Sequence, residues 1–429
     1  MTPALSTTEI DQRLAAAVAR FADDHPVSRE MAERAERSMP GGNTRTTLHT
    51  EPFGIRIAGG EGAVLHTVDG QDVVDILGDY SSGLVVRHPD VAAAIRAVVD
   101  NGWGYGAMQD AESQLAAHLV SRFPSVDRVR FTNSGSEANL LAVLTARHVT
   151  GRPRLVVFDG AYHGGPMTIQ PESAPLRVPF EYGVVRFNDP ASVRAEFSEH
   201  GDRIAAVLVE PMMGSAGCLP AEPGFLALLR ELTTDAGALL IFDEVMTSRF
   251  SFGGAQELVG VTPDLTTLGK YIAGGLSFGA FGGRADIMAT FDPRVGGLAH
   301  GGTFNNNAFT MAAGVAVSRL VDAEVLATHH ARGERLRDRL EEAVGPYGWT
   351  ASGQSTLLNL HPVAGPVRRP EDLADADPRL RSLLFHELLH RGFYIAGRGY
   401  LALSLAVSDD QLDGFVAACA ASASVADAR

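Results

Sequence analysis

Lysine is almost absent from this chain. Lysine and arginine together number 36 among 429 residues, and Lys270 is the one lysine, so 35 are arginine (36 − 1 = 35). Either residue can supply a surface charge, but arginine stays protonated and cannot act as an amine nucleophile. An incidental surface lysine is disfavoured because Lys270 follows an apolar run within a segment of small residues. The pattern therefore indicates a reacting amine, which attacks a carbonyl to form a Schiff base.

Cysteine and long apolar runs are scarce as well. Cys218 and Cys419 are too few for a disulfide framework and fit no zinc spacing, so we expect no metal site and a reducing, cytoplasmic location. No apolar run reaches the roughly 18 residues of a membrane helix. The opening MTPALSTTEIDQRL lacks the basic and apolar regions of a signal peptide. The net charge of −15 disfavours nucleic acid and anionic membranes as partners, although a local field can still bind a small anion.

Short apolar runs alternate with helix-length segments from about residue 127. The runs are RVRFTNSG, RLVVFDGAYHG, IAAVLVEPMMG, ALLIFDEVMTS, DLTTLGK and FGAFGG. Such alternation predicts an α/β domain with a mostly parallel sheet flanked by helices, and ligands of these sheets bind at the carboxyl ends of the strands. We predict an N-terminal arm with part of a small domain over 1–60, a large domain over 61–325, and a smaller α+β domain over 326–429. Asp69-Gly70 predicts a hairpin turn, and Ser408 with Gln411 predicts a capping box.

Polar residues follow several of these runs. Ser134, Gly135 and Ser136 lie between a strand and a helix, where unpaired N–H groups and the helix dipole favour a phosphate. A Schiff-base lysine narrows the chemistry to aldolases, decarboxylases and pyridoxal-phosphate enzymes. Among these, the turn formed by Ser134, Gly135 and Ser136 favours a pyridoxal-phosphate enzyme, because that cofactor carries a phosphate.

Acidic and aromatic residues end two further runs. Asp243 directly follows Ile-Phe, and a carboxylate buried there needs a partner such as a protonated pyridine nitrogen. We expect Glu244 to be solvated instead. Tyr162, before His163, offers a flat ring for stacking on a cofactor, or else is a core aromatic residue.

These motifs together resemble the class III aminotransferases, which are pyridoxal-phosphate enzymes of fold type I. NSGSEA, AYHG, EPMMG, LIFDEVMTS and PDLTTLGKYIAGGLSFGAFGG occur in the family's order, and the likeness runs from MPGGNTRTTL to YLALSLAVSDDQLDGF. The chain is most similar to the glutamate-1-semialdehyde aminomutase branch and, within it, to β-amino-acid aminotransferases such as the β-phenylalanine enzymes. The resemblance implies pyridoxal 5'-phosphate as the cofactor and a homodimer with shared active sites.

The resemblance also assigns roles to individual residues. Lys270 would form the Schiff base with the cofactor, and Asp243 would pair with its pyridine nitrogen. Val245 and Tyr162 would pack on the two faces of the ring, and Glu210 would lie near the ring hydroxyl. The remaining assigned residues bind the phosphate: Ser134, Gly135 and Ser136 from one subunit and Thr303 from the other.

Two arginines bear on the substrate. Arg45, in GGNTRTTL, matches the position that grips a substrate carboxylate in this branch. Arg398, in IAGRGYLALS, lies where aminomutases lack a basic residue. An arginine side chain can bind a carboxylate through two parallel hydrogen bonds. With two such arginines, one site can bind a monocarboxylate donor in one half-reaction and the dicarboxylate 2-oxoglutarate in the other. This predicts a ping-pong aminotransferase that moves the amine of a 3-amino carboxylate, such as β-phenylalanine, to a 2-oxo acid.

Other readings remain open at this point. A glutamate-1-semialdehyde 2,1-aminomutase would use the same lysine but keep one substrate throughout. A ligand-sensing regulator would need a basic DNA-binding module, which the short, mixed-charge arm does not supply. A cofactor-free aldolase would not need Asp243 or the phosphate turn. Arg87, Trp103 and Tyr105 lie in segments that depart from the β-phenylalanine enzymes, and the aromatic pair either narrows the substrate pocket or belongs to the core.

Overall fold

The computed structural model describes residues 5–295 and 297–429. The α-helices of these residues are α1 Thr7–Asp24, α2 Pro26–Glu36, α3 Pro89–Asn101, α4 Asp110–Arg122, α5 Gly135–Thr150, α6 Pro190–His200, α7 Phe225–Ala236, α8 Ala255–Val259, α9 Ala285–Met288, α10 Ala308–Leu320, α11 Ala323–Val344, α12 Pro378–His390 and α13 Asp409–Val425. The strands are β1 Ile57–Glu61, β2 Val64–Thr67, β3 Asp72–Asp75, β4 Arg128–Thr132, β5 Arg154–Phe158, β6 Glu181–Val185, β7 Ile204–Val209, β8 Met212–Met213, β9 Leu219–Pro220, β10 Leu239–Asp243, β11 Leu265–Gly269, β12 Gly279–Gly283, β13 Thr350–Gln354, β14 Leu357–His361, β15 Phe393–Tyr394 and β16 Tyr400–Ala402. None of the described helices is both long and apolar enough to cross a bilayer.

The chain divides into two compact units. Unit 1 comprises Met1–Ser81, Arg332–Val367 and Glu371–Arg429, and unit 2 comprises Ser82–Ala331 and Arg368–Pro370. The sequence places the first boundary after residue 60, whereas the structure places it after Ser81. The reason is that β3 pairs in parallel with β15, which draws the β1–β3 hairpins to the C-terminal part of the chain. The second predicted boundary, after residue 325, falls a few residues before the observed one, which lies inside α11.

Unit 2 is built on a seven-stranded sheet of order β4-β12-β11-β10-β7-β5-β6. Strand β12 runs antiparallel to both of its neighbours, and the other strands are parallel. Strands β7, β10 and β11 are buried along their whole length, as expected for a sheet covered on both faces. The predicted α/β fold with a mostly parallel sheet is confirmed, and each of the six predicted runs contains a strand. Strand β6, on the edge of the sheet, was not predicted, because its sequence EYGVV is short and only partly apolar.

Unit 1 holds the smaller sheets. Strands β1, β2, β3 and β15 form one sheet, and β13, β14 and β16 form another. Trp349 and Phe415 are among the buried residues of its hydrophobic core. Strands β2 and β3 pair antiparallel across Asp69-Gly70, which confirms the predicted hairpin. The predicted capping box is also confirmed, because the Ser408 side chain accepts a hydrogen bond from the Gln411 N–H at the start of α13, and the Gln411 side chain accepts one from the Ser408 N–H.

Candidate active site

The predicted cofactor residues of unit 2 cluster at one edge of its sheet. Strands β4, β5, β7, β10 and β11 run in the same direction, and each ends just before one of these residues. Glu210 follows β7, Asp243 is the last residue of β10 and Lys270 follows β11. Carboxyl ends of parallel strands are where such sheets bind ligands. The topology therefore brings the residues that follow these strands to the same edge of the sheet.

Lys270 has an uncommon backbone conformation. It is the first residue of a 3₁₀ turn, Lys270–Ala273, and its φ of +57° lies in the left-handed region that L-residues seldom occupy. Holding a non-glycine residue there costs on the order of 1–3 kcal/mol, and such residues concentrate at functional sites. The side chain is partly buried. The incidental surface lysine does not fit this position at the end of a fully buried strand.

Asp243 accepts hydrogen bonds from three donors. Its Oδ2 accepts from Asn139 Nδ2 at 2.7 Å and from His163 Nδ1 at 2.8 Å, and its Oδ1 accepts from the Val245 N–H at 3.1 Å. The side chain is buried, and burying a carboxylate is costly unless such partners compensate it. Asn139 is fixed in turn, because its Oδ1 accepts from Thr267 Oγ1 at 2.6 Å. The arrangement keeps an acceptor-only carboxylate in one orientation at the sheet edge.

The turn at the start of α5 is closely packed. Ser134 caps the helix, since its Oγ accepts from the Glu137 N–H at 3.2 Å. A Cβ on Gly135 would come within 2.7 Å of a Val245 methyl carbon, and a Cβ on Gly164 would come within 2.1 Å of Ser136 Oγ. We call Ser134, Gly135 and Ser136 the phosphate turn. Its N–H groups lie at the N-terminus of α5, which favours an anion. A side chain at Gly135 or Gly164 would collide with the neighbouring side chain, so both positions need glycine.

Val245 packs against two glycines at this edge. A Cβ on Gly269 would come within 3.2 Å of Val245 Cγ1, the methyl carbon that also lies 2.9 Å from the Cβ position of Gly135. The Val245 side chain is partly exposed. It can therefore offer an apolar face to a flat ring. Tyr162, which is 46% exposed, is not a core residue, so the core alternative is wrong.

Glu210 is a buried acid beside Tyr162. Its Oε1 accepts from the Tyr162 N–H at 3.0 Å and its Oε2 from the Gly214 N–H at 2.9 Å. Burial raises the pKa of the Glu210 carboxyl to about 7, while nearby His163 lowers it and Asp243 raises it further. A carboxyl with this pKa can carry or release a proton near neutral pH.

The sequence prediction for Glu244 is wrong. The sequence predicts a solvated side chain, but Glu244 is completely buried. Its carboxylate accepts from the N–H groups of Ala255 and Gln256 at 2.6 and 3.0 Å, from Gln256 Nε2 and from Thr247 Oγ1. Burial raises the pKa of this carboxyl, and the four hydrogen bonds oppose the shift. Glu244 thus ties β10 to the segment that starts α8, and it takes no part in the cofactor edge.

The remaining predicted site residues lie elsewhere. Thr303 is exposed in a turn of unit 2. Arg45 and Arg398 belong to unit 1, where their guanidinium carbons lie 5.1 and 5.6 Å from the centroid of the Tyr80 ring. Trp103 is 59% exposed, so the core alternative for it is wrong.

Sequence reasoning missed three residues of this arrangement. Asn139 and Thr267 orient Asp243, and Tyr80 contacts both arginines. A signal for Asn139 was present, since an amide in the middle of the apolar helix SEANLLAVLTARH is an unsatisfied polar group unless it has partners. Nothing local pointed to Thr267 or Tyr80.

Comparison with known proteins decides the family. The model of the family described as aminotransferase class-III matches residues 47–350. The chain belongs to the class III aminotransferases. It is a pyridoxal-phosphate-dependent transaminase of fold type I, as the sequence predicts.

Relatives of known sequence and structure cover nearly the whole chain. The β-phenylalanine transaminase of Variovorax paradoxus is 47% identical over 413 residues, or 95% of each chain. A crystal structure of a β-phenylalanine aminotransferase from Variovorax paradoxus superposes with a TM-score of 0.94 over 96% of this chain and 97% of that one, at 47% identity. The glutamate-1-semialdehyde 2,1-aminomutase of Ignicoccus hospitalis is 37% identical over 86% of this chain and 92% of its own.

The residues at the sheet edge of this aminotransferase fit its cofactor. The phosphate turn offers helix N–H donors, Asp243 offers a buried carboxylate, and Val245 offers an apolar face walled by glycines. These match a phosphate, a protonated pyridine nitrogen and a flat ring in chemistry. The side chain of Lys270, directly after β11, offers a primary amine at the same edge.

Gly135→Ala is expected to weaken binding of pyridoxal phosphate. The added Cβ overlaps Val245 and must displace either it or the phosphate turn. Overpacking costs typically 1–3 kcal/mol, and the part of this cost that falls on the cofactor-bound state raises the Kd, by roughly 5- to 150-fold over that range. Gly165→Ala is the matched control, because a Cβ there meets no atom within 4 Å.

The measurement is a titration of each apoprotein with pyridoxal phosphate, followed by the visible absorbance of the bound cofactor. The control should remain within about twofold of the wild-type Kd. An unchanged Kd for Gly135→Ala would place the cofactor away from this turn.

Proposed function

We propose that the enzyme moves the amine of a 3-amino carboxylate, such as β-phenylalanine, to a 2-oxo acid such as 2-oxoglutarate. The observation that carries the proposal is that unit 1 fixes two guanidiniums, those of Arg45 and Arg398, on one aromatic ring. The names of the Variovorax relatives support the same donor class.

Each arginine can bind a carboxylate through a fork of two parallel hydrogen bonds. A 3-amino acid with an apolar side chain has one carboxylate, whereas 2-oxoglutarate has two. A site with two arginines accepts both in succession, which a ping-pong reaction requires. We assign Arg45 to the carboxylate common to the substrates and Arg398 to the additional carboxylate of the acceptor.

Within unit 2 we assign roles to the residues at the sheet edge. Pyridoxal phosphate, when bound, supplies an aldehyde for the amine and a ring that withdraws electrons from the substrate carbon. Lys270 would supply the amine that holds the cofactor and, once free, would move the proton of the substrate carbon as general base and acid. Asp243 would pair with the pyridine nitrogen and keep it charged, and Glu210 would lie on the side of the ring hydroxyl.

The other contacts hold the cofactor in place. The phosphate turn would bind the phosphate, and Val245 and Tyr162 would pack on opposite faces of the ring. We further propose that Thr303 binds the phosphate of a second copy of the chain, in a homodimer.

An exposed apolar surface supports the homodimer. Trp103, Met108 and Phe304 are 59%, 89% and 65% exposed in the single chain. The segments that carry them are adjacent, because the Trp103 ring packs on Phe309 with centroids 5.3 Å apart and Gln109 Nε2 donates to the Asn306 carbonyl at 3.3 Å. Apolar surface of this kind is typical of interaction sites, and Thr303 lies directly beside Phe304.

The substrate assignment is tested by mixing the holoenzyme with β-phenylalanine and 2-oxoglutarate and measuring glutamate. We expect glutamate to form with wild-type protein and not with Lys270→Arg, whose guanidinium cannot replace the amine. A second arm supplies glutamate-1-semialdehyde alone. Its conversion to 5-aminolevulinate, without transfer between β-phenylalanine and 2-oxoglutarate, would replace the proposal with the aminomutase.

The homodimer is tested with Phe304→Asp, which places a charge on the exposed apolar surface. We expect monomers and at least roughly tenfold weaker binding of pyridoxal phosphate, because Thr303 no longer reaches the neighbouring site. Val184→Asp is the control, since Val184 is also exposed, at 47%, but lies on the edge strand β6.

The measurement is size-exclusion chromatography with light scattering, combined with the cofactor titration. A Phe304→Asp dimer with wild-type affinity for the cofactor would contradict the shared site.

A further inference from the structure

Tyr80 lies in an unusual backbone segment of unit 1. Four consecutive residues have φ in the left-handed region: Gly78 at +53°, Asp79 at +41°, Tyr80 at +53° and Ser81 at +72°. Non-glycine residues in this region are uncommon, and each costs on the order of 1–3 kcal/mol. A run of three is retained only where the surrounding structure holds it.

Neighbouring contacts hold this segment in place. The Gly78 N–H donates to Asp75 Oδ1 at 2.9 Å, and a Cβ on Gly78 would come within 2.5 Å of the Ala402 carbonyl oxygen. The Tyr80 ring stacks on Tyr400 with centroids 5.9 Å apart and planes 5° apart. Tyr400 is fully buried, so the Tyr80 ring packs against a core residue of unit 1.

The Tyr80 ring contacts both predicted carboxylate-binding arginines. The guanidinium carbon of Arg45 lies 5.1 Å from its centroid, and that of Arg398 lies 5.6 Å away. Arg398 also lies 5.5 Å from the Tyr400 centroid. Each distance is within the roughly 6 Å range of cation–π attraction.

The Tyr80 hydroxyl acts on the segment that carries Arg45. It donates to the Thr47 carbonyl at 2.6 Å. The same segment is tightened by the Arg45 N–H, which donates to Asn43 Oδ1 at 2.9 Å, and by an ion pair of 3.2 Å between Arg45 and Asp79. Tyr80 therefore restrains Arg45 in two ways. Its ring contacts the guanidinium, and its hydroxyl holds the backbone two residues further on, at Thr47.

We propose that Tyr80 is a positioning residue that sets the orientation of Arg45 and Arg398 together, and so determines recognition of both the monocarboxylate and the dicarboxylate substrate. This inference rests on the proposed function for the identity of the substrates. Two like charges near one ring repel each other, and the ring's negative faces offset part of that repulsion. Substrate carboxylates then meet guanidiniums whose side-chain freedom is already restricted, which lowers the entropy cost of binding.

The contributions of the ring and the hydroxyl are separable. Tyr80→Phe keeps the ring against both guanidiniums but loses the bond to Thr47, whereas Tyr80→Leu loses both. Tyr80→Leu should therefore weaken Arg45-dependent and Arg398-dependent binding alike. Tyr80→Phe should weaken mainly the binding that depends on Arg45.

The test measures binding of unreactive carboxylates to the holoenzyme by calorimetry, with 3-phenylpropionate as the monocarboxylate and glutarate as the dicarboxylate. For Tyr80→Leu we expect the Kd of both ligands to rise roughly tenfold, as loss of cation–π contacts with two arginines predicts. For Tyr80→Phe we expect about a threefold rise for both ligands, because both use Arg45. Arg398→Gln should raise the Kd of glutarate but not that of 3-phenylpropionate.

A matched control is available in unit 2. The Tyr182 hydroxyl also donates to a backbone carbonyl, that of Val178 at 3.0 Å, and Arg177 lies 5.7 Å from its ring centroid. Tyr182→Leu removes the same kinds of contact and should leave both Kd values within about twofold of wild type.

The outcomes separate the inference from the proposed function. Unchanged Kd values for Tyr80→Leu overturn the inference, as does a rise for one ligand alone. Because neither ligand reacts, these results do not depend on amine transfer. Failure of wild-type protein to form glutamate from β-phenylalanine and 2-oxoglutarate overturns the proposed function instead.

Kinetics give a second readout once the wild-type enzyme is shown to be active. For Tyr80→Leu, a rise in KM for both substrates with little change in kcat identifies positioning for binding, whereas a fall in kcat alone contradicts it.

Discussion

The carboxylate of Asp243 is buried at the end of a fully buried strand, β10. Its hydrogen-bond partners come from several elements at this edge of the sheet. Asn139 reaches it from α5, the helix that begins with the phosphate turn. Thr267, which bonds Asn139, lies on β11, the strand that ends directly before Lys270. His163, the other side-chain donor to Asp243, directly follows Tyr162. Orienting one buried charge therefore orients the groups proposed to hold the phosphate, the ring and the amine.

The two kinds of basic residue are used for different tasks. Arginine, which stays charged, is suited to carboxylates, and unit 1 places two guanidiniums against one tyrosine ring. Lysine occurs at one position, Lys270, to which we assign the reacting amine. The composition of the chain, with one lysine and 35 arginines, already indicates this difference in use.

The sequence predicts the fold and the strand ends well, because apolar runs and the residues after them are local features. Lys270, Asp243 and the phosphate turn all fall where the parallel strands end. Residues that depend on distant partners were not predicted. Thr267 is 128 positions from Asn139, and the left-handed run at Tyr80 is stabilised by contacts with residues near position 400. Glu244 was misassigned for the same reason, since its partners lie across a turn.

The account rests on one amine being the covalent attachment point of the cofactor. The chain offers two kinds of primary amine, the Nζ of Lys270 and the N-terminus. Reduction of the holoenzyme with borohydride, followed by digestion and mass spectrometry, locates the attached cofactor. The account predicts a pyridoxyl phosphate adduct on the peptide that contains Lys270, in proportion to bound cofactor. No adduct on that peptide, or an adduct at the N-terminus alone, would contradict it.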